Sequence, residues 1–269
     1  MSRQLAALPL ALIAVSSLAA CATTGQGSSQ STAEALAGAP AGARPIDHQA
    51  RQRVAREDAL TQMAFWAGEY QTFPNDLEAA QRFSEALRRG GRTDRAVTVS
   101  AEALGRFPQD SELLTTYGYA QIALGRPQQA LRPLAMAAAA DSENWRVRSA
   151  LGAALDQLGR FTEARRAYQE ALALQPGDAR ILTNLGVSHI MAGDPADAEP
   201  ILRQAASVPG APAEARQNLA ISLALQGRFD EAEQIERIDL PPAQAAQNMQ
   251  YLRGLLNDPR RWGDLGRPG

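Results

Sequence analysis

The chain has 269 residues, 45% of them hydrophobic but only 5% aromatic, with 27 basic against 29 acidic side chains and a formal net charge of −2, the profile of an alanine-rich, helical globular protein. All 27 basic residues are Arg, which excludes a Walker-type phosphate loop and a Schiff-base lysine, and two His (His48, His189) with one Cys are too few for an ordinary zinc site. A pI near 5.8 with both signs interspersed leaves no basic footprint for nucleic acid.

After Met1 and Arg3, the stretch Leu5 to Ala20 is apolar apart from Ser16 and Ser17. It is too short, and too broken by Pro9, for a membrane span of about 20 apolar residues. With its basic start and small residues at the end, 1–20 reads as a secretory signal peptide. It closes on Leu18-Ala19-Ala20-Cys21, which resembles the lipobox of bacterial lipoproteins. That resemblance implies a diacylglyceryl thioether on Cys21, cleavage just before it and acylation of the new amine. An ordinary secreted protein with a Cys beside the cleavage site is the other reading. Ala22, in place of Asp, implies sorting to the outer membrane with the mature chain lipid-anchored on the periplasmic face. Cys21 and the linker make up 21–45: residues 22–45 are mostly Ala, Gly, Ser, Thr, Gln and Pro with almost no charge, a flexible tether reaching ~25–30 Å.

Residues 46–76 read as an N-terminal helix or half repeat, with Val54, Leu60, Met63, Phe65 and Trp66 in a helix over 47–66. A fixed period follows. Gly91, Gly125, Gly159, Gly193 and Gly227 stand 34 residues apart, each followed five residues later by Ala and preceded by eight by Phe83, Tyr117, Leu151, Leu185 or Leu219. A small residue comes directly after each of these: Ser84, Gly118, Gly152, Gly186, Ala220. In period and residue type this resembles the tetratricopeptide (TPR) repeat, most fully over 145–178. The resemblance implies an all-α fold, a helical-hairpin solenoid with right-handed superhelix, in five units: 77–110, 111–144, 145–178, 179–212 and 213–246. Small residues let the two helices of a unit approach, large apolar ones fill between them, and Gly ends the first helix at positive φ. Beyond Pro241-Pro242, Met249, Leu252, Leu255 and Leu256 mark a capping helix over 243–257. The tail 258–269 reads as frayed, and its Trp262 is either a partner anchor or a loose end residue.

No enzyme chemistry is expected, and no metal, cofactor or small-molecule substrate. His189 falls where other units have Leu87, Leu155 and Leu223 and should point between helices. The acid pairs Glu57-Asp58 and Asp230-Glu231 read as solvated helix faces among Arg residues. A hairpin solenoid binds through the inner curve lined by its first helices. On the TPR geometry the partner groove comprises Arg82, Tyr119, Arg146, Asn184, Val187, Met191, Asn218 and Ile221. Thr116, Ser149, Asp156, Thr183, Arg180 and Ile190 fall on the same face. Asn184 and Asn218 share one position in adjacent units: they either hold an extended backbone together or meet only water. Arg82, Arg88, Arg89 and Arg92 could dock an acidic C-terminus, but Glu78 and Glu85 between them favour a solvated face.

The C-terminal order Arg216-Gln217-Asn218-Leu219-Ala220, Leu225-Gln226-Gly227-Arg228-Phe229, Asp239-Leu240-Pro241 and Asn248-Met249-Gln250-Tyr251-Leu252-Arg253 resembles the TadD family of TPR lipoproteins from the tight-adherence (Flp) pilus system. That resemblance implies a non-enzymatic, pilotin-like assembly factor whose partners are the outer-membrane secretin or other Tad/Flp pilus proteins. A general periplasmic TPR adaptor for another envelope complex, such as peptidoglycan enzymes or outer-membrane protein assembly, is the alternative.

Overall fold

A computed structural model describes residues 46–257; the lipobox, Cys21, the tether and the tail with Trp262 lie outside them. Every regular element among the described residues is an α-helix. They fall into two compact units, 46–108 and 109–257.

The first unit holds α1 (His48–Val54), α2 (Ala59–Thr72), α3 (Leu77–Arg89) and α4 (Thr93–Leu104). The segment 47–66, expected as an N-terminal helix or half repeat, lies across two helices. The chain leaves α1 at Ala55, and Asp58 starts α2 by accepting from the Leu60 and Thr61 N–H groups. Asp58 is exposed, as expected of a solvated acid, but stands at the N-cap and not on a helix face: its short carboxylate satisfies two of the four N–H groups a helix start leaves unpaired.

The second unit runs through α5 (Ser111–Ala123), α6 (Pro127–Ala140), α7 (Trp145–Gln157), α8 (Phe161–Leu174), α9 (Ala179–Ala192), α10 (Pro195–Ser207), α11 (Ala213–Leu225), α12 (Phe229–Glu236) and α13 (Pro242–Asn257). Here α5–α6, α7–α8, α9–α10 and α11–α12 form antiparallel hairpins, and successive first helices α5, α7, α9 and α11 also touch one another. The hairpin α3–α4 follows the same plan in the first unit.

The residues of the repeat explain this packing. The period glycines all have positive φ, from 68° at Gly125 to 90° at Gly193, a region closed to most side chains, and so the chain reverses within a few residues. The alanines five residues on (Ala96, Ala130, Ala164, Ala198, Ala232) are wholly buried. A methyl built on Gly152 would lie 2.6 Å from the Tyr168 ring, and one on Gly186 would lie 2.5 Å from Leu202. Glycine is what brings α7 onto α8 and α9 onto α10. First helices also share a start signal at the same period: Asp76, Asp110, Asn144 and Asp178 each cap the helix that follows, whereas Pro212 ahead of α11 carries no side-chain cap.

The core of the second unit continues into its last helix. Ile190, Leu202, Leu219, Leu223 and Ala232 form one buried cluster with Met249 of α13. This helix covers an apolar face that α11 and α12 would otherwise show to water.

Candidate interaction surface

In the second unit the first helices carry the expected groove residues, but not all of them face outward. Tyr119 on α5 donates its hydroxyl to the Arg146 carbonyl at 3.0 Å, linking α5 to the start of α7. Arg146 is exposed, and its guanidinium lies 4.4 Å from the centre of the Trp145 ring. Arg180, one repeat later, lies 5.6 Å from the same ring. Asn184 is exposed one turn further along α9, with Val187 and Met191 half-buried beyond it and Ile221 half-buried on α11. Asn184 and Asn218 differ despite their shared position, because the Asn218 amide already donates to the Glu214 carbonyl at 2.8 Å. Asn184 therefore offers its whole amide, and Asn218 its oxygen and one remaining N–H.

Thr116, Ser149, Asp156, Thr183 and Ile190 are buried, which corrects their expected place in the groove. Thr183 spends its hydroxyl on the Ala179 carbonyl of its own helix at 2.6 Å. Asp156 sits between three helices, accepting from the Tyr168 hydroxyl of α8 at 2.9 Å and the Ser188 hydroxyl of α9 at 2.6 Å. Burial pushes its carboxyl up to about 6, with the two hydroxyl bonds and the more distant Arg165 charge offsetting part of that rise. Sequence spacing placed Asp156 on the inner face. The signal it lacked was the tyrosine twelve residues on, whose hydroxyl needs a buried acceptor.

His189 is half-buried at the end of α9, its Nδ1 enclosed with no hydrogen-bond partner. Burial lowers its pKa, and the nearby Arg165 lowers it further against Asp197 and Asp194. No metal was expected, yet ligand-type atoms of His189, Asp194 and Asp197 come within 4.8 Å of one another. Arg165, 3.6 Å from Asp194, brings positive charge to that spot and disfavours a cation there.

Arg82, the groove residue of the first unit, is exposed on α3 beside a cleft of about 430 Å³ lined by His48, Arg51, Trp66, Glu78, Glu85 and Arg89 among others. The acid-docking reading weakens here, since Arg88 and Arg89 both pair with Glu85 at 2.7 Å. Arg51 of α1, only 4% exposed, reaches Glu69, Asp76 and Glu78, each at 2.8 Å. Burial opposes the Arg51 charge, but the three carboxylates outweigh it and raise its pKa. Thus α1 lines the very helix face on which Arg82 stands, and it is fastened there by charge.

The tetratricopeptide repeat pattern matches residues 82–145, 149–212 and 183–245, more than half of the chain. The chain belongs to the tetratricopeptide repeat family. TPR folds are protein-interaction scaffolds, and the outward residues of α7 and α9 are the kind of surface they offer. Solved TPR structures share the fold. PilW, described as a widely conserved type IV pilus biogenesis factor, is 21% identical over 77% of this chain and 95% of its own, with a TM-score of 0.64. A thermophilic TPR protein of Thermus thermophilus is 24% identical over 67% of this chain and 99% of its own, with a TM-score of 0.56. MamA of Desulfovibrio magneticus RS-1 is 21% identical over 60% and 91%, with a TM-score of 0.54. At these identities the likeness is one of fold. No curated protein matches the chain in sequence.

Proposed function

We propose that this TPR protein is a non-enzymatic outer-membrane lipoprotein, anchored through Cys21, that serves as a pilotin-like scaffold for Flp (Tad) pilus assembly. Its outward first-helix residues would hold a periplasmic segment of the secretin or of another pilus subunit. The observation that carries the binding part is the row of exposed Asn184 with half-buried Val187 and Met191 on α9, beside Ile221 of α11, which is half-buried against the core. The lipobox and the C-terminal motifs that resemble the TadD family support the place and the system. The fold shared with PilW, a protein described as a pilus biogenesis factor, agrees with that choice. Anchoring would raise the local concentration of partner-binding surface at the membrane to roughly millimolar for a short linker.

The test has two arms. Photo-crosslinking in cells from Tyr119 and Met191 is expected to capture the secretin or a pilus subunit; capture of a peptidoglycan enzyme or an outer-membrane assembly protein instead would favour the general adaptor. Cys21→Ser is expected to leave the solenoid folded but mislocalised, with piliation lost, and normal pili in that variant refute the tethering mechanism.

A further inference from the structure

The second unit presents two guanidiniums on one aromatic ring. Arg146 and Arg180 occupy the same position in consecutive repeats, both exposed, 4.4 and 5.6 Å from the centre of Trp145. Among the described residues Arg146 has no carboxylate partner. Arg180 has only a long 3.6 Å pairing with Asp178, whose other oxygen is already taken up in capping α9. A guanidinium lying against a ring is held in place yet keeps its N–H edges free. Two positive charges gathered at one ring repel each other, and an anion within reach of both relieves that repulsion. On either side the same position holds exposed Glu112 and Glu214, so the positive charge is confined to the middle of the row. Next to it stand the free amide of Asn184, suited to a peptide backbone, and Val187 and Met191, suited to apolar side chains.

We infer that the Trp145 shelf is a docking point for an extended protein segment bearing an Asp or Glu side chain flanked by apolar residues, with the carboxylate seated between Arg146 and Arg180. This names the partner class for the surface proposed above and rests on that reading. A carboxylate brings two acceptor oxygens and an opposite charge to the two forks, whereas a neutral amide at the same place brings one acceptor oxygen and no charge.

The experiment is calorimetric titration of the full chain with two blocked synthetic nonapeptides, one alternating Val and Asp, the other Val and Asn. The acidic peptide is expected to bind at least about tenfold more tightly. Arg146→Gln/Arg180→Gln should bring the two peptides level, whereas Arg132→Gln, exposed on the second helix α6, should leave the difference intact. Because all these positions are exposed, the variants should melt as the parent does. Equal affinities, or no binding of either peptide, overturn the inference. So does binding of inorganic phosphate or phosphatidylglycerol vesicles that depends on the same two arginines and is not displaced by the acidic peptide. Crosslinking from Met191 in cells that persists in Arg146→Gln/Arg180→Gln overturns the acidic occupant alone and leaves the scaffold reading standing. Its loss in that variant supports both.

Discussion

Replacing Asp156 by Asn should stabilise the protein at neutral pH. The carboxyl is 7% exposed, held by two hydroxyl donors, and has its pKa raised from 3.8 to about 6. A group whose folded pKa lies above its unfolded one favours the fold most when protonated. The stability it gives is therefore full below pH 3.8, falls as pH rises through 6, and is absent above that. The distance from 3.8 to about 6, at about 1.36 kcal/mol per pH unit, sets an upper bound of about 3 kcal/mol on the cost of the ionised form. Asn keeps the shape. Its oxygen can accept from Tyr168, and its amide can donate to Ser188, whose own hydrogen can turn to the carbonyl four residues back. The net gain expected at pH 7.5 is about 1–3 kcal/mol, or roughly 2–10 °C in melting temperature for a unit of this size. Thermal melts of parent and Asp156→Asn from pH 4 to 8 should show curves that nearly meet at the acid end and separate as pH rises. An Asn variant that melts below the parent at pH 7.5, or a difference that does not change with pH, would refute the reasoning.

Arg51→Ala takes the Arg51 guanidinium away from Glu69, itself 2% exposed, and from the less buried Asp76. Removing one partner from a buried ion cluster costs about 3–5 kcal/mol. Since α1 buries only Arg51 and Val54, the expected result is loss of hydrogen-exchange protection over 48–54, with protection of α3 and α4 retained. Unchanged protection of α1 would show that charge does not hold it. Gly186→Ala places a methyl 2.5 Å from Leu202 and should cost about 1–3 kcal/mol in urea melts through forced repacking of α9 on α10. A midpoint equal to the parent's would mean that the two helices do not approach as closely as described.

The repeat was legible because its constraints are local. A positive φ needs glycine and a close approach needs a missing side chain, and both leave a mark at a fixed spacing, as at Gly152 and Gly159. The start signals Asp76, Asp110, Asn144 and Asp178 were equally local and would have set the helix boundaries directly. The split between α1 and α2 was visible in principle at Asp58, but the apolar spacing on both sides disguised it. The surface was less legible because its features are tertiary. Asp156 lies on the predicted inner face by spacing alone, and only Tyr168 and Ser188 from two other helices turn it into a buried group. The difference between Asn184 and Asn218 depends on which rotamer reaches a carbonyl in its own helix. The two arginines on Trp145 come from different repeats, and no single unit reveals them.

The fastening of α1 also has a mechanical meaning. A pull that reaches this seven-residue helix is met, among the described residues, by one guanidinium spread over three carboxylates and lying against the Trp66 ring, and by one buried valine. Ion pairs of this kind resist over a short distance and then yield almost at once when water enters. By contrast, the wholly buried alanine and leucine contacts between the later hairpins would have to be separated along their whole length. Under load α1 should therefore shear away first, lengthening the connection while the repeats behind it keep their shape.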